Sequence, residues 1–130
     1  MLFYVILMSL FSLIFALILI LEIIKKPAGN KKMQEISADI HKGAMAFLNK
    51  EYKVLIIFLS IVALILKFLI GNNIAISFIF GGILSALAGN IGMRIATKAN
   101  SRTAEAAKSS LSVGLKIAFS SGAVMGFFVV

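Results

Sequence analysis

The chain has 130 residues, of which 61% are hydrophobic, and a mean hydropathy of +1.07. Soluble domains are about 45–50% apolar, so this excess, gathered into long runs, points to a bilayer as the solvent. The 13 Lys and Arg against 5 Asp and Glu sit mostly between the apolar runs, which fits loops of a membrane protein rather than a nucleic-acid surface. Cysteine is absent, which excludes disulfides and thiolate metal sites, and the single His41 has no second imidazole with which to build a histidine metal site.

Residues 2–24 are apolar apart from Ser9, Ser12 and Glu22. At 1.5 Å per residue the run is long enough to cross the hydrocarbon. No positive charge precedes it, it exceeds the apolar stretch of a signal peptide, and no small-residue cleavage site follows. It reads as a retained first span. Residues 25–53 form a basic segment carrying Lys25, Lys26, Lys31, Lys32, Lys42, Lys50 and Lys53. Pro27 to Asn30 is a break and a turn. Beyond it, Met33, Ile36, Ile40, Ala44, Phe47 and Leu48 recur at helical spacing, opposite Glu35, Asp39, Lys42, Asn49 and Lys50, so the spacing predicts an amphipathic helix. Without an intervening breaker it runs on into the second span, 54–70.

Lys67 lies near the far end of that span, where its side chain can reach the interface. Gly71, Asn72 and Asn73 make an uncharged turn into the third span, 74–95, so these two spans form an antiparallel hairpin. Residues 96–116 are polar, with Lys98, Arg102, Lys108 and Lys116, and residues 117–130 are apolar again but too short to cross. A terminus at Val130 would place a carboxylate in hydrocarbon. The expectation is an all-α integral membrane bundle: three complete spans plus the start of a fourth, from a longer chain. The positive-inside rule places 25–53 and 96–116 in the cytoplasm and the N-terminus outside.

Small residues line several helix faces. Gly81, Ser85 and Gly89 share one face of the third span, Ala88, Gly92 and Ala96 share another, and Ala118, Gly122 and Gly126 follow in the fourth. Such spacing permits close helix contact, and packing inside a larger bundle is favoured over a dimer seam. Glu22 is a carboxylate in an apolar run and thus a transport candidate. Its place three residues before Lys25 and four before Lys26 favours a helix-end ion pair. Glu35 and Asp39 stand four apart, a spacing open to Mg²⁺, yet Lys31, Lys32 and Lys42 flank them and favour a solvated face. Cleaving a phosphoanhydride requires several carboxylates to place metal ions, with cations on the phosphates. No such set, no phosphate loop and no nucleophile–base pair stands in this sequence. Catalytic, cofactor-binding and metal residues are therefore expected to be none. Two other classes remain open on the residues alone: a small oligomeric membrane transporter and a non-catalytic membrane scaffold subunit.

Three stretches carry a resemblance. They are EISADIHKGAMAFLNKEYK at 35–53, GMRIATKANSRTA at 92–104 and GAVMG at 122–126. In order and spacing they resemble the membrane-bound, ion-translocating inorganic pyrophosphatases. The second stretch is long and distinctive. The likeness covers nearly all of the chain from Glu35 on, while 2–24 is similar only as a first hydrophobic helix. Ser120-Ser121 stands where the family often has Arg-Ser, and many members have Arg at the place of His41 or Lys42. The resemblance implies a homodimer of sixteen-helix subunits coupling pyrophosphate hydrolysis to H⁺ or Na⁺ export, with Mg²⁺ and in one subfamily K⁺. It further implies that these are outer-ring helices lying before the Asp-rich catalytic signature, that a bacterial plasma membrane is the setting, and that lipid rather than nucleic acid is the partner. It also suggests a role for the positive charge of Arg102 and Lys108 in concentrating pyrophosphate near the site.

Overall fold

The computed structural model describes the backbone of residues 2–130 and the side chains of residues 3–130. Four helices follow in order: α1 (Leu2–Lys25), α2 (Lys31–Leu69), α3 (Asn72–Ser109) and α4 (Leu111–Val129). All four are long and apolar enough to cross a membrane. With 39 and 38 residues, α2 and α3 each extend about 57 Å, nearly twice a hydrocarbon core of about 30 Å. Their apolar halves meet the uncharged turn, and their polar halves run on together at the opposite, basic end.

The breaks have local causes. Asn30 caps α2 by accepting from the Met33 N–H at 3.0 Å, and the Gln34 side chain donates back to the Gly29 carbonyl at 2.8 Å. Gly29 sits at φ +82°, and a β-carbon there would lie 2.7 Å from the Met33 sulfur and 3.1 Å from a Glu105 carboxylate oxygen. Gly71, at φ +141°, turns the chain from α2 into α3, and its N–H bonds to the Leu66 carbonyl at 3.0 Å. Ser110 alone separates α3 from α4: it is extended (φ −160°, ψ 131°), its N–H bonds to the Ala106 carbonyl, and its own carbonyl accepts from Gly114. Gly114 makes so sharp a corner possible, because a β-carbon there would come within 2.9 Å of the Ala107 methyl.

This corner changes the expected boundaries. Polar residues 96–109 complete α3, and 111–116 open α4. The fourth helix, Leu111–Val129, is 19 residues long, about 28 Å, and long and apolar enough to cross. The cause is visible in the sequence: Leu111, Val113 and Leu115 extend the apolar run through the interrupting Lys116.

In the tertiary arrangement α3 packs against both α2 and α4, while α1 lies along α4 and also touches α3. A core of Ile23, Ile95, Ala99, Ile117 and Val124 ties α1, α3 and α4 together at the basic end. Ser12 donates to the Phe127 carbonyl at 2.9 Å, and the Phe15 and Phe127 rings meet edge to face at 5.1 Å. Gly82 admits Leu59 of α2, and Gly92 admits Met125 of α4. Of the small-residue faces, Ala88–Gly92 is therefore in use, with both residues buried. A β-carbon at Gly81, Gly89, Gly122 or Gly126 would meet nothing within 4 Å. Most large apolar side chains face outward, Ile57 of α2 being 61% exposed, which requires lipid or further helices around the four.

Candidate functional site

The polar halves of α2 and α3 build the only side-chain network among the described residues that joins different helices through more than one bond. Ser37 donates to the Thr97 carbonyl at 3.0 Å, and His41 Nδ1 lies 2.7 Å from Thr97 Oγ1. The Thr97 hydroxyl proton is committed to the carbonyls of Met93 and Arg94, at 2.9 and 3.1 Å. With Met93 and Arg94 as acceptors for the Thr97 proton, the 2.7 Å bond has His41 Nδ1–H donating to Thr97 Oγ1. Farther along, the Tyr52 hydroxyl donates to the Ala86 carbonyl at 2.8 Å. Thr97 is buried and His41 half-buried, and together these bonds hold α2 to α3 in one register.

Arg102 ties in the third helix. Its guanidinium donates to the Lys98 carbonyl at 2.7 Å and to the Ile24 carbonyl, in the last turn of α1, at 3.4 Å, while its buried Nε has no partner. It thus satisfies a carbonyl left free by the end of α1. This contact also sets relative depth: the end of the apolar run in α1 is level with Arg102, about 10 Å past the end of the apolar run in α3 at Ile95.

The residues singled out from sequence fall as follows. Glu22 is exposed and forms no ion pair with Lys25 or Lys26; among the described residues the ion pairs are Asp39–Lys42 at 3.7 Å and Glu105–Lys108 at 2.6 Å. The expected helix-end pair does not form; Glu22 borders a groove against α4 together with Lys26, Lys116 and Ser120. Asp39 is occupied by Lys42 on an open face, and Glu35 is exposed. Lys67 stands exposed in the last turn of α2. The charges of Lys108 and Glu105 offset each other at 2.6 Å, which weakens the share of Lys108 in the expected focusing of pyrophosphate, while Arg102 donates to neutral backbone carbonyls and keeps its charge. The His41–Thr97 link escaped the sequence reading. The available signal was a pair of polar residues, one on each arm of the hairpin, 30 and 26 residues from Gly71.

Metal-dependent phosphoanhydride chemistry requires converging carboxylates. Among the described residues no three His, Cys, Asp or Glu side chains come together, so the residues present do not fit a Mg²⁺ site.

These features define a multi-pass α-helical membrane protein, stapled by polar bonds at its basic end. A family profile described as inorganic H⁺ pyrophosphatase matches residues 10–130. The chain is 54% identical over 123 residues to a putative K⁺-stimulated pyrophosphate-energized sodium pump of Clostridium tetani, covering 95% of this chain and 18% of that protein. It is 43% identical to a K⁺-insensitive pyrophosphate-energized proton pump of Methanosarcina mazei, covering 94% and 18%, and 38% identical to a K⁺-stimulated pyrophosphate-energized sodium pump of Thermotoga maritima, covering 82% and 15%. The chain belongs to the inorganic H⁺ pyrophosphatase family. It spans about 18% of the length of the first two of these relatives.

Proposed function

We propose that these residues form the outer-ring helices of a membrane pyrophosphatase that couples hydrolysis of inorganic pyrophosphate to translocation of H⁺ or Na⁺. The observation that carries the reading is the family match across 10–130, together with relatives named as pyrophosphate-energized pumps of both ions. Within such a pump this part acts as scaffold. The His41–Thr97 and Tyr52–Ala86 bonds fix the α2–α3 hairpin, Arg102 anchors α1 to it, and the open small-residue face at Gly81 and Gly89 accepts further helices. The charge distribution supports a cytoplasmic basic end and an outside N-terminus. A bacterial plasma membrane, a homodimer, Mg²⁺ as the hydrolytic metal and K⁺ as an activator in one subfamily complete the proposal. The chemistry belongs to residues of the pump outside 1–130.

The test is expression of the complete gene containing these residues, followed by assay of inside-out membrane vesicles. Pyrophosphate with Mg²⁺ should drive uptake of either ²²Na⁺ or protons, and added K⁺ should distinguish the two kinds of relative. Vesicles that contain the folded protein but neither hydrolyse pyrophosphate nor take up either ion would refute the reading.

A further inference from the structure

A groove of about 470 Å³ opens beside the polar network, between the end of α1 and the polar halves of α2 and α3. Its charged lining is cationic: Lys42, Lys98 and Arg102, joined by His41, Gln34 and Ser101, with no carboxylate among the lining residues. Of the acids around it, Glu105, beside Gly29, is paired with Lys108, and Asp39 meets Lys42 from outside the groove at 3.7 Å; the side chains of Asp39 and Lys42 are about 80% exposed, so that pair is weak and Lys42 is free to change partner. Lys98 makes no ion pair among the described residues and is exposed. Arg102 brings a positive charge into the floor, held there by two backbone carbonyls and carrying a buried Nε without an acceptor.

Depth identifies the occupant. The groove reaches from the level of Thr97, just past the apolar run of α3, to that of Ile24, where the apolar run of α1 ends. On α1 and α3 that is the headgroup layer of a bilayer they cross, while the apolar run of α2 begins only at Val54, twelve residues after Lys42. A basic pocket between helices at this level suits the phosphate of an anionic lipid.

The geometry points to a binding site for the phosphodiester headgroup of an anionic phospholipid. Lys42 and Lys98 engage the phosphate from the rim, Arg102 supplies the charge beneath it, and the acyl chains lie along the exposed apolar flank of the hairpin. Bound in this way, the lipid bridges α1, α2 and α3 at the place where α1 and α2 do not otherwise pack. The inference rests on this groove alone and is independent of the pump reading.

The test is photo-crosslinking in membranes containing the complete protein, with peptide mapping. A photoactivatable phosphatidylglycerol should label the segments around 34–42 and 97–102, and a phosphatidylcholine probe should not. K42Q and K98Q should each lower that labelling about fivefold, and together about thirtyfold. Either single variant is sufficient, so the result does not depend on the double variant folding. K31Q/K32Q, which removes two lysines outside the groove, should leave the labelling unchanged. Equal labelling by the neutral lipid, indifference to K42Q and K98Q, or the same loss in K31Q/K32Q would overturn the site. Abolition of labelling by excess inorganic phosphate would reassign the groove to a soluble anion and overturn the lipid.

Discussion

Gly92 offers the sharpest test of the packing, because its effect is local and its partner is known. A β-carbon at this position would lie 2.6 and 2.8 Å from Cγ and Cβ of Met125, and 3.1 Å from its sulfur. The Met125 Cβ is fixed to the α4 backbone, so the side chain cannot relieve the clash by swinging its far end; α4 itself must move. Valine and glycine differ by only a few tenths of a kcal/mol in helix propensity, so Gly92→Val reports almost entirely on this contact. Overpacking of this kind costs typically 1–3 kcal/mol, and with two further methyl groups behind the β-carbon the upper end is expected, about 2–3 kcal/mol. Met125→Ala should cost less than a full core truncation, because Met125 is 45% exposed. The double variant loses the Cγ and sulfur contacts but keeps the Met125 Cβ at 2.8 Å, so it should recover only part of the loss, with a coupling of at least about 1 kcal/mol. The assay is reversible unfolding in mixed micelles of wild type, both single variants and the double. If the two effects add within about 0.5 kcal/mol, α3 and α4 do not meet at this point, and the arrangement of the last two helices is wrong.

Two further outcomes follow from the same structure. Gly29→Ala, which forces a β-carbon into the left-handed region and against Met33, should destabilise the protein by about 1–2 kcal/mol in the same unfolding assay. Tyr52→Phe removes one hydrogen bond between membrane helices and should cost only about 0.6 kcal/mol, with the α2–α3 register, read by spin-label distances, unchanged.

Membrane residence, all-helical class and the family were legible because each is written in local or linear pattern. Runs of apolar side chains long enough for the hydrocarbon mark the spans, and the 92–104 stretch carries the family likeness on its own. The long α2 was also legible, since the amphipathic spacing from Met33 to Leu48 runs without a breaker into 54–70. The α3–α4 corner was harder. Ser110 is neither glycine nor proline, and its extended conformation is held by bonds to Ala106 and Gly114 together with the close approach of Gly114 to Ala107. Glu22 shows the limit of spacing arguments: three and four residues from Lys25 and Lys26 it has the separation for a pair, yet it forms none and borders a groove with Lys26 and Lys116.

The sequence by itself determined where the apolar runs lie and which segments are charged, because burial of apolar length and the cost of charge in lipid act residue by residue. Only the tertiary structure decided which small-residue face is filled, which cations are spent on carbonyls or carboxylates, and which line a groove. Those choices depend on the depth at which the helices sit beside one another. That depth is set by long-range bonds, His41 to Thr97 and Arg102 to Ile24, between residues that no periodicity along the chain connects.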